Sequence, residues 1–356
     1  MPTAHLERPC AISNDSGSPP EQAGLVSVIT PTYNRAHYLR EAIESVQAQM
    51  YARWELIIMD DGSTDGTQQV VEAYRRCDPR IRYMFQQNAG PSRARAAALR
   101  AARGEFIAFL DDDDLWRPDK LKKQVERMRQ DPSLGFLYSQ CAVIQDGSRV
   151  ASWPGRVHPH TFQELFRTNF VPCLTVMVRK RCLDEIGGIG TDLPVSQDYD
   201  LWLRLAERFS FDWLPEELAT YRIHEHNMSR DRFAYYRDRF TIVARTPISR
   251  RLGISRAMKT AQRATLHLGL AHLYQQQGAY ARALAHHWRG LIRRPLIGLR
   301  TWEPEFEGRR FTAPARLLKP YVALLTCLAR RLRTGWTAQP SPHGAVATDV
   351  TDEAGT

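Results

Sequence analysis

The sequence contains no C-x-x-C pair; its six cysteines, Cys10, Cys77, Cys141, Cys173, Cys182 and Cys327, lie scattered over 356 residues. That spacing excludes a structural zinc ribbon and a disulfide-stapled scaffold and fits a reducing compartment. Nor is there an apolar run near the roughly 18 to 20 residues that cross a bilayer; the best candidate, Tyr321 to Leu328, is far too short. The opening MPTAHLERPCAISNDSGSPPEQ lacks a basic region followed by an apolar core, so a secretory leader is not expected and a cytoplasmic location is. No G-x-G-x-x-G follows the first apolar strand and no G-x-x-x-x-G-K-[ST] occurs, which excludes the dinucleotide-binding and P-loop phosphate cradles. Aromatics interleaved on a basic strand face are also missing, so no nucleic-acid partner is expected.

What is present is ordinary in bulk: 43% hydrophobic and 25% charged residues describe a globular protein of about two domains. The net charge of +10 is unevenly placed. Through Glu225 there are 27 Lys and Arg against 31 Asp and Glu, and beyond it 22 against 8. The basic excess therefore belongs to the last third, which either faces an anionic surface or solvates its own helices.

From Leu25 to Arg222 short apolar runs alternate with helical periodicity, the pattern of an α/β unit with a largely parallel sheet. Strands are expected at Val26 to Thr30, Glu55 to Met59, Ile81 to Phe85 and Phe106 to Leu110, and helices at Ser92 to Ala102, Pro118 to Arg129 and Tyr199 to Arg208. Leu39, Ala42, Ile43 and Val46 recur as one helical apolar face. The domain plan is a disordered 1–24, an α/β domain over 25–229, a basic helical region over 230–336 and a disordered 337–356, the ends being rich in Pro, Ser, Thr, Gly and Ala.

In the helical region Leu266, Leu270, Leu273 and Tyr274 share one face. Ala281, Leu284, Ala285, Trp288, Leu291 and Ile292 share another, with Gly278 between the runs, so a helical hairpin is expected. A third amphipathic segment gathers Leu317, Leu318, Tyr321, Leu324, Leu325 and Leu328 among Arg316, Lys319, Arg330, Arg331 and Arg333. It either packs on the protein or lies on an anionic membrane face.

In a parallel α/β sheet ligands bind beyond the carboxyl ends of the strands. Here the first strand runs into Pro31, Thr32, Tyr33 and Asn34, the second into Asp60, Asp61, Gly62 and Ser63, and the Phe106 to Leu110 strand into Asp111, Asp112, Asp113 and Asp114. Four successive carboxylates repel one another unless a cation or solvent intervenes. In extended backbone Asp111 and Asp113 share a face, and oxygen donors of this kind suit Mg²⁺ or Mn²⁺. The competing reading is a solvated turn in which Asp114 caps a helix near Pro118. Asp61 and Tyr33 read either as turn residues or as a hydrogen-bond acceptor and a stacking face for a base. Trp116 and Trp202 fit a sugar-stacking surface or an apolar anchor equally. Arg93, Arg100 and Arg103 read as a solvated face, and His286 and His287 as surface or packing residues.

Together these motifs resemble the family 2 glycosyltransferases, inverting nucleotide-sugar enzymes with a GT-A fold. The matching pieces are VSVITPTYNR (Val26 to Arg35), WELIIMDDGSTDGT (Trp54 to Thr67), GPSRARAAALRAARGEFIAFLDDDDLWRPDKL (Gly90 to Leu121), SQDYDLWLRL (Ser196 to Leu205) and TYRIH (Thr220 to His224). They occur in the family's order over about 200 residues. The resemblance implies that Pro31, Tyr33 and Asp61 line the nucleotide pocket, with Asp61 on the base. It further implies that Arg95, Asp111 and Asp112 serve the donor, that Asp113 and His224 hold Mn²⁺ or Mg²⁺, and that Asp198 is the general base. Asp200, two residues on, is expected to face away. Gln197 stands where the family often has Glu, and Ala96 replaces the asparagine of its A-R-N segment.

The implied activity is metal-dependent, inverting transfer from a nucleotide-diphosphate sugar, a UDP-sugar first, to a hydroxyl of a glycan or glycolipid in cell-surface polysaccharide or lipopolysaccharide synthesis. One base and direct displacement suffice for inversion, whereas a hydrolase needs two carboxyls flanking the bond. The alternative is a catalytically weak relative that binds a membrane or partner through its basic helices; the presence of Asp113 and Asp198 weighs against it. Arg156, His158 and His160 are candidates for an anionic acceptor or for a solvated loop. Peripheral contact with the inner face of the membrane is expected of the basic helices.

Overall fold

The structure, a computed structural model, describes residues 24–155, 160–225, 227–293 and 323–330. The expected disordered ends, Arg156, His158 and most of the Leu317 to Arg333 segment lie outside the described residues. The chain divides into two compact units, Met1–Asn227 and Met228–Thr356.

The first unit opens with β1 (Val26–Thr32), α1 (Ala36–Gln47), β2 (Trp54–Asp60), α2 (Thr67–Arg75), β3 (Ile81–Phe85), α3 (Pro91–Ala101) and β4 (Phe106–Phe109). β1 and β2 are buried on both faces along their whole length, which is why they read as continuous apolar runs rather than alternating ones. β3, β2, β1 and β4 pair in parallel in that order. Leu39, Ala42, Ile43 and Val46 of α1 pack with Val26, Val28, Leu56 and Ile58 in one core.

The unit continues with β5 (Leu115–Trp116), α4 (Lys120–Gln130), β6 (Leu134–Gln145), β7 (Ser148–Trp153), α5 (Phe162–Arg167), β8 (Met177–Arg179), α6 (Lys180–Glu185), α7 (Gln197–Arg208) and β9 (Ser210–Ile223). Here the expectation of a largely parallel sheet is corrected. β8 runs antiparallel to β4 and β6, β5 antiparallel to β9, and β7 antiparallel to β6; only β6 and β9 pair in parallel. β5 and β8 are two and three residues long, too short to show a period. β9 contains Pro215, which has no N–H for a ladder. The register shifts there, with Ser139 opposite Leu214 and Gln140 opposite Glu217, so Pro215 and Glu216 bulge from the pairing.

A buried polar knot ties the parallel half together. Glu55 accepts from the Ser27 hydroxyl at 2.6 Å, from Arg82 at 2.7 Å and from the Arg103 N–H at 2.8 Å, and the Ser27 Oγ accepts from the Gly104 N–H at 2.8 Å. Gly104 lies so close to β1 that a Cβ there would meet Ser27 N at 2.6 Å and Leu25 O at 2.7 Å.

The second unit consists of α8 (Arg232–Arg245), α9 (Arg256–Gln276), α10 (Tyr280–Arg293) and a short helix over 323–330. α9 and α10 form the expected hairpin, turned at Gly278 with φ 74°. The face expected to be buried on α10 is corrected: Ala283, His286, His287, Gly290 and Leu291 pack inward, while Trp288 and Ile292 are exposed. Gly290 sets this rotation, because Leu268 of α9 approaches to 3.0 Å of where its Cβ would stand. His286 and His287 are therefore packing residues, His286 meeting His267 at 3.0 Å between their Nδ1 atoms.

Candidate active site

The strand ends of the parallel half converge as the sequence pattern requires. Pro31 is buried within β1 and Tyr33 is exposed just beyond it. The loops after β1 and β2 are stapled to each other: the Asn34 N–H donates to Ser63 Oγ at 2.9 Å, and the Thr64 N–H to Asn34 Oδ1 at 2.8 Å. Asn34 takes φ 53°, a conformation its short amide tolerates.

Asp61 is 3% exposed and its carboxylate holds the approach to α3. It accepts from Gln86 Nε2 at 2.6 Å, the Ala89 N–H at 2.9 Å and the Gly90 N–H at 2.8 Å. Gly90 donates from φ +89°, and Gly62, at φ +88°, lets the two loops approach: a Cβ there would strike Asn88 N at 2.8 Å. Gln86 carries no pattern in the sequence that marks it as part of this loop.

The acidic run is a turn, not the extended segment expected. The Asp114 N–H donates to the Asp111 carbonyl at 3.1 Å, so Asp111 and Asp113 do not share a strand face. The turn brings arginines from other segments to the carboxylates, which offsets part of the repulsion that an extended run would retain. Asp111 pairs with Arg95, and Asp112 and Asp113 share Arg35, whose Nη1 is 3.1 Å from Asp112 Oδ1. Asp114 does not cap a helix: it accepts from the Arg222 N–H at 3.0 Å, and α4 starts after Asp119. Asp113 Oδ2 also lies 2.9 Å from His224 Nε2, and the His224 ring stacks on Tyr38 with centroids 5.0 Å apart. Arg35 and Arg222, which no pattern in the sequence singled out, are thus integral to the cluster. The signal for Arg35 was its place directly after the first strand end.

Burial and the neighbouring Asp113 push the Asp112 carboxyl up to about 7, and burial with Asp113 and Asp111 raises Asp114 well above the usual range. Asp114 Oδ2 is buried without a hydrogen-bond partner among the described residues. The turn is therefore short of positive charge. Among the described residues no three His, Cys, Asp or Glu side chains converge on one point. Asp113 and His224 supply two donors, an oxygen and an imidazole nitrogen, which fit Mn²⁺ or Mg²⁺ provided water and a diphosphate complete the shell.

Asp198 lies on the second residue of α7, its Oδ1 accepting from the Tyr199 N–H at 2.7 Å. It lines a small pocket with Arg95, Phe109, Cys173, Ile189, Gln197, Leu201 and Trp202. Burial raises its carboxyl to about 6, against the opposing pull of Arg95. Burial opposes the charge of Arg95, but Asp111 and Asp198 hold its pKa above the ordinary arginine value. Arg95, 8% exposed, thus joins the acidic turn to the Asp198 pocket. Asp200 turns to Arg204 at 2.8 Å, and Trp202 is wedged between Phe109 and Phe136. Trp116 donates to the Leu174 carbonyl at 2.8 Å, so both tryptophans are anchored in the core. Arg93, Arg100 and Arg103 are exposed, and His160 meets Asp212 at 3.5 Å.

The sequence pattern described as Glycosyl transferase family 2 matches residues 27–186. A Bacillus subtilis protein named as a teichuronic acid biosynthesis glycosyltransferase, TuaG, is 35% identical over 213 residues, 59% of this chain and 83% of the relative. The Escherichia coli UDP-Glc:alpha-D-GlcNAc-diphosphoundecaprenol beta-1,3-glucosyltransferase WfgD is 35% identical over 184 residues, 51% of this chain and 69% of its own. Among solved structures, S. aureus TarS 1–349 in complex with UDP-GlcNAc superposes with TM-score 0.58 at 19% identity, over 86% of this chain and 92% of that one. The mannosyltransferase PcManGT from Pyrobaculum calidifontis, in complex with GDP-Man and Mn²⁺, does so with TM-score 0.55 at 21% identity, over 87% and 82%. The fold is of the GT-A type, a mixed α/β sheet followed by helices. Matched along five ordered motifs and over more than two thirds of its relatives' length, the chain is a glycosyltransferase and belongs to family 2.

Proposed function

We propose that the chain transfers a sugar, with inversion and with a divalent metal, from a UDP-sugar to a hydroxyl of a glycan or glycolipid acceptor during assembly of a cell-surface polysaccharide. The observation that carries this reading is the division of carboxylates. A cation-seeking turn with His224 lies on one side of Arg95 and the Asp198 carboxyl, raised by burial, on the other. The names of TuaG and WfgD, which concern a cell-wall polymer and a UDP-Glc donor acting on a lipid diphosphate, support the substrate class.

In this reading Asp113 and His224 hold Mn²⁺ or Mg²⁺, whose charge offsets the negative charge growing on the leaving diphosphate. Pro31 and Tyr33 border the base. Asp61 serves it from a loop the same carboxylate has already ordered, while Asp111 and Asp112 face the ribose and sugar. Arg95 keeps Asp111 in place and supplies positive potential beside the pocket. Asp198 accepts the acceptor hydroxyl's proton as that oxygen attacks the anomeric carbon opposite the diphosphate. Among the described residues the small pocket that Asp198 lines holds no second carboxylate for a covalent intermediate, which supports a reading of direct displacement with inversion.

The test is calorimetric binding of UDP, GDP, dTDP and CDP, each with Mn²⁺ and with chelator, to the native chain and to Asp113→Ala. Selective binding of UDP that needs Mn²⁺ and is lost in Asp113→Ala is the expected result. Metal-independent binding, or none, refutes the donor-site reading.

A further inference from the structure

The second unit presents a surface that the donor site does not use. Six of the ten large hydrophobic side chains exposed among the described residues belong to it: Met228, Ile248, Trp288, Ile292, Leu325 and Leu328. Two of them share one line on α10, where Trp288 is 63% and Ile292 61% exposed, with exposed Ala281 and Ala285 completing a stripe at intervals of four, three and four residues. The bare backbone at Gly290 lies against Leu268 more closely than a side chain would allow, and rotating the helix to bury the stripe would give up that contact, so the packing of the hairpin holds the stripe outward.

The charge around it has one sign. Residues 228–293 hold 13 Lys and Arg against Asp231 and Asp238, and α9 and α10 carry no acid at all. Arg282 and Arg289 flank the stripe on α10, about a quarter-turn round the helix. A second copy of this chain docked through α10 would set these arginines against their own kind. A nucleic acid or other polyanion would meet the arginines but gain little from aliphatic Ile292. An anionic bilayer satisfies both: the indole and isoleucine enter the headgroup region, and the guanidinium groups meet lipid phosphates.

We propose that the outer face of α10 is a peripheral docking surface for an anionic membrane, centred on Trp288 and Ile292. The contact expected of the Leu317 to Arg333 segment falls mostly on residues outside the described ones. In the helix over 323–330 Leu324 packs against Ala264, Leu268 and Leu291, and Cys327 Sγ lies 3.4 Å from the Tyr280 carbonyl. No helix among the described residues is long and apolar enough to cross a membrane, so the contact is interfacial. The proposal stands independently of the donor-site reading.

The test is flotation of the full chain with phosphatidylglycerol-containing vesicles and with pure phosphatidylcholine vesicles. The chain is expected to float with the first and not the second. Trp288→Ala combined with Ile292→Ser is expected to lower the bound fraction about tenfold, and Arg282→Glu combined with Arg289→Glu to abolish binding at physiological salt. Both pairs should keep the native circular dichroism spectrum. A chain that ignores both vesicles overturns the proposal. So does flotation that needs the arginines but not Trp288 and Ile292, which would indicate a general polyanion surface, and so does a dimer that the Trp288 and Ile292 pair dissociates without any vesicle binding. Should either pair misfold, quenching of the native chain's fluorescence by brominated phosphatidylglycerol, compared with Trp288→Phe, decides the matter: equal quenching in the two refutes it.

Discussion

Asp198→Asn preserves the shape of the side chain and removes its ability to take a proton. A positioned base contributes about 10² to 10⁴ in rate, equivalent to about 2.7 to 5.5 kcal/mol of transition-state free energy, and kcat/KM should fall by that factor. The structure also specifies the pH dependence. Burial raises the Asp198 carboxyl from 3.8 to about 6, and the ionised form is the active one. Lowering the pH below about 6 should therefore cost close to tenfold in kcat/KM per unit, where an ordinary aspartate would sustain the rate down to about pH 4. Because Arg95 pulls this value down, Arg95→Gln should move the acid limb upward. The assay is initial rate against pH with the donor identified by nucleotide binding. UDP affinity is measured over the same range so that protonation of Asp112, whose carboxyl lies at about 7, is separated from the chemical step. An Asp198→Asn enzyme within tenfold of native activity, or an acid limb centred near pH 4, refutes the assignment.

Arg35→Ala should tighten Mn²⁺ binding without nucleotide by about tenfold, because the guanidinium and a metal compete for the same Asp113 oxygen; electron paramagnetic resonance titration of free Mn²⁺ reads this, and unchanged or weaker binding contradicts it. Gly104→Ala would place a methyl 2.6 to 2.8 Å from three backbone atoms that cannot yield. A loss of about 3 kcal/mol or more is expected, seen as a melting temperature lower by roughly 6 to 12 °C, and a shift under about 2 °C would show that the β1 edge can move. Burial lowers His267 to about 3 and His287 to about 4 from 6.5, so the unfolded chain binds the extra protons as pH falls. Stability should decline below about pH 6.5 by up to about 1.4 kcal/mol per unit for each histidine. Thermal unfolding of His287→Leu should show a shallower acid slope, and a slope equal to that of the native chain would remove this histidine as a cause.

The parallel half of the sheet could be read because β1 and β2 are buried on both faces and so leave unbroken apolar runs. The turn chemistry of D-D-G-S and D-D-D-D marked where β2 and β4 end. What could not be read has equally physical causes. The acidic run bends because Arg35, Arg95 and Arg222 reach it from three other segments, and no local rule reports a cation supplied from afar. The mixed half escaped because its pairing rests on short strands and on β9, where a proline is accommodated by a bulge. On α10 the apolar stripe was plain, but periodicity finds a face without saying whether protein covers it. Gly290 and the two buried histidines, not the hydrophobic residues, set which side turns inward.

The place of β9 bears on how the chain matures. β9 is the last strand of the first unit to be synthesised, yet it inserts between β6 and β5 rather than adding at an edge. Arg35 and Arg95 leave the ribosome ahead of the acidic turn, whereas Arg222 and His224 follow Asp113 by 109 and 111 residues. β9 ends 78 residues after β6, so at about 5 to 20 residues per second the nascent sheet waits roughly 4 to 16 seconds with one side of β6 unpaired, a template for association with other chains. The strand that brings His224 to Asp113 is thus also the one that seals the sheet. A nonsense mutation ahead of Ser210 would therefore produce an aggregating polypeptide rather than a folded but inactive transferase.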